Sequence, residues 1–109
     1  MMNKKSSEAI EQAVCFELQN IVKNYGATYA SNHEGYAVLK EEVEEAQACL
    51  EDVLRNVSKI WVCVKANKDF MFDLNMTKEF SIALAGEAVQ CAAVCERFME
   101  TIKSEIPTS

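Results

Sequence analysis

The sequence contains few of the residues that build turns, with three Gly and one Pro among its 109 residues. An all-β domain needs turn residues at short intervals, and the longest segments of this chain have none. It also lacks the ~20 consecutive apolar residues that a membrane span requires, and an apolar signal segment near the N-terminus. The composition therefore predicts one domain over residues 1–109, built from a few long helices, with loose tails at residues 1–6 and 105–109.

The chain also has few basic residues, with eleven Lys and Arg compared with seventeen Asp and Glu, which gives a formal net charge of −6. Such a chain repels phosphate backbones and anionic lipids, so we expect neither nucleic acid nor membrane as a partner. The five cysteines show no CxxC spacing and are typical of buried side chains in a reducing compartment, which predicts a cytoplasmic protein. A zinc site of Cys91, Cys95 and the lone His33 is disfavoured, because a structural zinc site needs four such ligands.

Local signals divide the chain into three helices. The first is expected over about residues 7–24, where Gly26 favours a left-handed C-terminal cap. Ser31 and Glu34 have the spacing of a capping box, so a second helix should begin at Ser31. Candidate N-caps at residues 73–75 predict a third helix that reaches about residue 103, with the aromatic connector residues Phe70 and Phe72 packing over the bundle.

Apolar residues recur at alternating spacings of four and three along both long helices, which indicates an all-α bundle of three to four helices. The predicted stripe of the second helix is Leu39, Val43, Ala46, Leu50, Val53, Val57, Ile60 and Val64. The facing series of the third helix is Phe80, Leu84, Glu87, Cys91, Val94, Phe98 and Ile102. A monomer of this size cannot bury such long stripes, so we expect the bundle to be completed by homo-oligomerisation as a dimer or tetramer.

An acidic run comprising Glu41, Glu42, Glu44 and Glu45 lies in the second helix. Like charges three or four residues apart destabilise a helix, by roughly 0.2–0.5 kcal/mol per pair. Helical geometry puts Glu42 and Glu45 beside the apolar stripe, whereas Glu41 and Glu44 point further toward solvent. Two carboxylates one turn apart can ligate a hard cation such as Mg²⁺, although a solvated acidic face is the usual meaning of such a run.

Glu87 strengthens the metal interpretation, because it occupies a facing position of the third helix. An ionised carboxylate there is destabilising unless it is paired or bound to a metal. Gln90 lies one turn later on nearly the same side. A metal shared by Glu42, Glu45 and Glu87 would explain both the acidic run and the misplaced carboxylate, while the alternative is a Lys or Arg that meets Glu87 across the bundle.

These acidic segments also resemble those of a known family. EEVEE at residues 41–45 fits an E-E-x-x-E motif, and EAVQ at residues 87–90 stands where an E-x-x-D motif follows. Together with the flanks HEGYAVL at residues 33–39 and RF at residues 97–98, they resemble the MazG-like group of all-α nucleoside triphosphate pyrophosphohydrolases, in particular small members from phages and mobile elements. The resemblance covers about residues 31–102.

The resemblance implies a helical, oligomeric, Mg²⁺-dependent hydrolase that converts an NTP or dNTP to the monophosphate and pyrophosphate. By position, Glu42, Glu45 and Glu87 would be metal ligands, and Glu41 would assist or orient a water. Gln90 replaces the family's Asp, and its amide can coordinate through the carbonyl or hydrogen-bond to a bound water. The same replacement fits a degenerate member that kept the fold and lost the chemistry.

Three further residues are candidates for substrate binding. Trp61 can stack on a nucleobase, although its apolar neighbours favour core or interface packing. Lys65 can approach phosphates, with surface solvation as the alternative, and Tyr36 can line a base pocket or be half-buried.

The competing class is a non-enzymatic helical interaction module whose acidic face binds a basic partner. That hypothesis requires a cationic partner for Glu87, and magnesium should then leave stability unchanged. A di-iron carboxylate protein is excluded, because its Glu-x-x-His pairs need more than the single His of this chain.

Overall fold

The computed structural model describes residues 2–105, which form three helices and no strand: α1 (Lys4–Tyr25), α2 (Asn32–Lys65) and α3 (Met71–Ser104). The all-α prediction is confirmed. Helices α2 and α3 pack against each other as an antiparallel hairpin, and α1 packs against α3 without reaching α2 in the described part of the chain. None of the three helices is apolar over a stretch long enough to cross a membrane.

Side chains that bond to free backbone N–H groups fix where α1 and α2 begin. The Asn3 carboxamide accepts from the Ser6 N–H at 2.9 Å, so α1 begins at Lys4 rather than near residue 7, and residues 4–6 are helical rather than loose. The Ser31 hydroxyl accepts from the Glu34 N–H at 3.1 Å, and the Glu34 carboxylate accepts from the Ala30 N–H at 3.3 Å. The predicted start of the second helix at Ser31 is thereby confirmed.

Gly26 ends α1 as predicted, but not in the predicted conformation. Its φ of 91° lies in the region that favours glycine, and its ψ of 171° is extended. The chain therefore leaves α1 in an extended direction instead of through a left-handed cap.

Asn67 ends α2, because its φ of 54° places it in the left-handed region. The Lys68 N–H then donates to the Cys63 carbonyl at 2.9 Å, and the Asn67 N–H donates to the Val64 carbonyl at 3.3 Å. These two bonds form a Schellman motif, in which Asn takes the place that Gly usually occupies.

The start of α3 differs from the prediction, since the helix begins at Met71 and residues 73–75 lie inside its first turns. The Asp69 carboxylate accepts from the Met71 N–H at 3.0 Å, so Asp69 satisfies the first backbone N–H of α3. Phe70 is half-buried, whereas Phe72 is 74% exposed. The prediction that Phe72 packs over the bundle is therefore wrong, because Phe72 lies on the outer side of α3.

The interface of α2 with α3 shares four positions with the predicted stripe, Leu39, Ala46, Val53 and Ile60, and departs from it at the other four. One series of half-buried or buried residues of α2 has alternating spacings of three and four: Leu39, Glu42, Ala46, Cys49, Val53, Asn56, Ile60 and Cys63. Gly35, Val38 and Asp52 are half-buried or buried as well. Four members of the predicted stripe are exposed instead: Val43, Leu50, Val57 and Val64. The prediction was wrong there because α2 has two adjacent apolar stripes, and the α3-facing one includes polar residues that an apolar pattern misses.

On α3 the predicted facing series is half-buried or buried from Phe80 to Phe98, whereas Ile102 is exposed. The molecule is elongated, with extents of 69 × 31 × 23 Å and a radius of gyration of 18.4 Å, against about 13 Å for a compact domain of this length. Large apolar side chains therefore remain on the surface. Of the expected loose tail over residues 105–109, Glu105 follows the last turn of α3 and its N–H donates to the Ile102 carbonyl at 3.2 Å, whereas residues 106–109 lie outside the described residues.

Candidate functional site

Three carboxylates from two helices converge at the middle of the α2–α3 interface. Glu42 and Glu45 lie one turn apart on α2, and Glu87 lies opposite them on α3. Each contributes an oxygen, and these oxygens all lie within 4.8 Å of one another. The i,i+3 spacing on one helix and the antiparallel register of the other create this convergence.

The environment disfavours charge on two of these groups. Burial is the first cause that raises the pKa of Glu42 above its ordinary value, and the neighbouring carboxylates of Glu45, Glu87 and Glu41 add to it. The pKa of Glu87 is also raised, by burial first and then by Glu45. The Cys91 thiol, one turn beyond Glu87, has a raised pKa because it is buried and lies close to Glu42.

No cationic side chain offsets this cluster within residues 2–105. The ion pairs in that part of the chain lie elsewhere on the surface and are Lys40–Glu44, Arg55–Asp52 and Lys103–Glu100. The Glu87 Oε2 atom is buried and has no hydrogen-bond partner among the described residues. A buried carboxylate oxygen without a partner is destabilising, and three oxygen donors at this separation suit a hard divalent cation.

The remaining members of the two motifs lie around the cluster. Glu41 and Glu44 are exposed on the outer side of α2, as helical geometry predicted. Gln90 is half-buried and lines a cavity that it shares with Glu42. The motif residues thus divide into a cluster of half-buried Glu42 and Glu87 with exposed Glu45 at its edge, a neighbouring amide, and an outward pair.

The three candidate substrate-binding residues lie apart from the carboxylates in this chain. Trp61 is 59% exposed and lies ~24 Å along α2 from Glu45, at 1.5 Å per residue. The Lys65 ammonium lies over the Trp61 ring at 5.3 Å from its centroid. Tyr36 is 61% exposed on the outer side of α2, near Asn32.

Arg97 is a central residue to which sequence reasoning assigned no role. It is 7% exposed, and its guanidinium donates to the carbonyls of Gly26 (3.1 Å), Tyr25 (2.9 Å) and Thr28 (3.1 Å). The same group stacks on the Tyr29 ring at 4.0 Å from the centroid. A basic residue one turn beyond Val94 on the buried side of α3 was the signal that could have identified it.

The loop between α1 and α2 is fixed to α3 at this point. The Thr101 hydroxyl accepts from the Tyr29 N–H at 2.8 Å and donates to the Arg97 carbonyl at 3.0 Å. Tyr29 also packs edge-on against Phe98, with ring centroids 6.1 Å apart. This network fixes the end of α1 and the following loop to α3, beside the cavity that residues of all three helices line.

The comparisons with known proteins add no assignment, because no protein-family model, curated protein or solved structure matches this chain. What defines the site is therefore its own geometry. Among the described residues, Glu42, Glu45 and Glu87 are the one group of three or more His, Cys, Asp or Glu side chains close enough to share an ion. Cys91, Cys95 and His33 form no such group among the described residues.

Proposed function

We propose that this protein is a magnesium-dependent hydrolase that converts a nucleoside triphosphate, an NTP or dNTP, to the monophosphate and pyrophosphate. The observation that carries the proposal is the convergence of Glu42, Glu45 and Glu87, with oxygens within 4.8 Å and no cationic partner in residues 2–105. The resemblance of residues 31–102 to the MazG-like family supports the same reaction. A cytoplasmic location, where free thiols stay reduced, and a phage or mobile-element origin belong to this proposal.

Each residue has a defined part in this proposal. Glu42, Glu45 and Glu87 supply the anionic oxygens that hold the ion, and the raised pKa values of Glu42 and Glu87 reflect the repulsion that a cation would relieve. Bound Mg²⁺ would supply charge neutralisation for the triphosphate and a water of lowered pKa. Glu41, exposed on the next face of α2, orients that water. Gln90 offers a neutral amide to hydrogen-bond beside the ion.

The test is pyrophosphate release from a panel of dNTPs and NTPs, with and without Mg²⁺. We expect Glu42→Gln and Glu87→Gln each to lower the turnover rate by a factor of about 10² or more, because each removes one anionic ligand. Glu44→Gln is the matched control, since Glu44 belongs to the same acidic run but pairs with Lys40 on the outer face. Equal activity of wild type and all three variants would refute the site.

Melting curves provide a second, independent measurement. A ligand that binds the folded protein raises its melting temperature, so Mg²⁺ with a nonhydrolysable nucleotide should stabilise the wild type and not Glu87→Gln. If neither magnesium nor nucleotide shifts the wild-type curve, the catalytic proposal fails in favour of a degenerate MazG-like helical protein that acts as an interaction module.

The proposal includes a homo-oligomer, a dimer or tetramer. Exposed apolar residues on α2 recur at spacings of four and three, the pattern of a helix–helix seam: Leu50, Leu54, Val57, Trp61 and Val64. The total surface of 8122 Å² supports the same conclusion, because a compact monomer of this mass exposes about 6,100 Å². A second copy of the chain would cover this seam.

Sedimentation equilibrium tests the assembly. Leu54→Glu places a charge in the middle of the seam and should shift the protein toward monomer, whereas Lys59→Glu, exposed on another side of α2, should leave the mass unchanged. A wild-type protein that sediments as a monomer at every concentration would contradict the proposed assembly.

A further inference from the structure

Charge is distributed unevenly along α2. Residues 32–52 contain seven Asp and Glu and one Lys, whereas residues 53–65 contain two Lys and one Arg and no acidic residue. The helix is ~50 Å long at ~1.5 Å per residue, so its acidic and basic halves are well separated. Two such helices attract each other when the acidic half of one lies against the basic half of the other.

The exposed apolar seam of α2 has a row of polar residues along one border. Val43 is 50% exposed and extends the seam toward the N-terminus, so the seam spans residues 43–64. The row follows the seam at intervals of seven residues, which keeps its members on one side of the seam. Its four members are exposed, and each comes directly after a seam residue: Glu44, Glu51, Ser58 and Lys65. The row therefore begins acidic and ends basic.

The seam and the row share one midpoint. The midpoint of the seam over residues 43–64 lies just before Leu54. Glu44 and Lys65 are equally far from a point just after Leu54, so the two midpoints agree within one residue. A surface with apolar residues on both sides of one point, and opposite charges at equal distances from it, is complementary to its own copy about a two-fold axis through that point.

We propose that two copies of the chain associate through this face of α2 in antiparallel orientation, with the two-fold axis beside Leu54. Glu44 then lies opposite the partner's Lys65, and the symmetric pair forms on the other side of the axis. The same axis places exposed Glu41 opposite the partner's Lys68. A parallel arrangement would instead bring like charges together, Glu44 against the partner's Glu44. This inference rests on the homo-oligomer of the proposed function and adds its orientation.

A second copy fits this surface better than a foreign partner does. The chain exposes 8122 Å², against about 6,100 Å² for a compact monomer of this mass. The excess is larger than the roughly 800 Å² that each partner buries in a stable interface of standard size. A copy also supplies an apolar seam together with charges that match both halves of α2, whereas a purely acidic or purely basic partner would match one half and repel the other.

A charge exchange within α2 tests the orientation. Sedimentation equilibrium in low salt, without magnesium or nucleotide, gives the dissociation constant of self-association. We expect Glu44→Lys and Lys65→Glu each to raise this constant about tenfold, because each turns two attracting pairs of a dimer into two repelling pairs. The double variant should return to within about threefold of wild type, because both pairs form again with their charges exchanged. In a parallel dimer like charges would face each other in every case, and none of the three variants would change the constant.

Glu100→Lys and Lys103→Glu are the matched controls. They change the net charge by the same amounts in an exposed pair on α3, and Lys103 lies in the last turn of its helix as Lys65 does in α2. We expect neither to alter the dissociation constant. Salt of about 1 M should bring the constants of Glu44→Lys and Lys65→Glu close to the wild-type one, because it screens exposed charges. Equal weakening in the control variants would assign the effect to net charge and overturn the inference.

The outcomes separate the orientation from the proposed assembly. An oligomer whose dissociation constant is unchanged in both Glu44→Lys and Lys65→Glu overturns the antiparallel orientation and leaves the homo-oligomer. Two weakened single variants whose combination is not restored overturn the pairing of Glu44 with the partner's Lys65. A wild type that stays monomeric at every concentration overturns both the orientation and the assembly and leaves the seam to a foreign partner. Hydrolysis plays no part in these measurements, so their failure leaves the hydrolase untouched.

Discussion

Replacing Arg97 by Met tests whether one buried guanidinium holds the α1–α2 loop on α3. Met is long enough to keep much of the packing but removes three charge-assisted hydrogen bonds to the carbonyls of Tyr25, Gly26 and Thr28. It also removes the stacking of the guanidinium on Tyr29 at 4.0 Å.

The size of the effect follows from these contacts. A hydrogen bond from a charged donor contributes about 1.5–3 kcal/mol to stability. The three carbonyls belong to exposed residues at the end of α1 and in the loop after it, and can bond to water once Arg97 is gone, so the lower end of that range applies to each. We therefore expect Arg97→Met to lower the free energy of unfolding by about 3–5 kcal/mol, a large part of the total for a domain of this size.

Urea denaturation followed by circular dichroism measures this change, at one fixed protomer concentration because an oligomer's stability depends on it. Arg55→Met is the matched control, since Arg55 pairs with Asp52 on the surface of α2 and should contribute about 0–1 kcal/mol. Arg97→Lys should recover only part of the loss, because an ammonium cannot span three carbonyls as a planar guanidinium does. If Arg97→Met lowers the free energy of unfolding by less than about 1 kcal/mol, Arg97 does not hold the loop on α3.

Three further perturbations test other parts of the structure. Burial raises the pKa of Glu87 above 4.5, so in EDTA its contribution to stability is present below that pH and lost as the pH rises through the raised value. Glu87→Gln should therefore melt above wild type near neutral pH and approach it as the pH falls to about 4.5, whereas a pH-independent difference would contradict this. Gly35→Ala should lower the free energy of unfolding by about 1–3 kcal/mol, because the added Cβ would lie 3.0 Å from Phe98 ring atoms. Gly86→Ala should raise it by about 0.5–1 kcal/mol, because a Cβ there would meet nothing within 4 Å. Chemical denaturation measures both changes. Asn67→Val should destabilise by about 1–2 kcal/mol because Asn67 has a positive φ, and an unchanged denaturation midpoint would argue against that backbone conformation.

Local chemistry made much of the fold predictable from the sequence. Ser31 and Glu34 are three residues apart and bond to nearby backbone groups, so the start of α2 depends on nothing distant. The same holds for Gly26, which ends α1 because few other residues tolerate its φ. The half-buried position of Glu42 beside the apolar stripe followed from helical geometry alone, whereas Glu45 is exposed at the edge of the cluster.

What the sequence did not reveal depends on contacts between distant segments. Choosing which apolar stripe of α2 faces α3 requires knowing the partner helix, and α3 covers the stripe with Cys49 and Asn56 rather than the one with Leu50 and Val57. The role of Arg97 depends on carbonyls about 70 positions earlier in the chain, which no local pattern encodes.

Because α1 packs against α3 and not against α2, displacement of α1 would break no contact between α2 and α3. The α2–α3 hairpin holds all three carboxylates of the cluster. Helix α1 contributes walls of the adjacent cavity, and Arg97 holds its C-terminal end by hydrogen bonds. Outward swinging of α1 would therefore open that cavity while the spacing of Glu42, Glu45 and Glu87 stays fixed. A ligand could therefore enter the cavity without a change in the positions of the three carboxylates. Amide hydrogen exchange should be faster in α1 than at the middle of the hairpin.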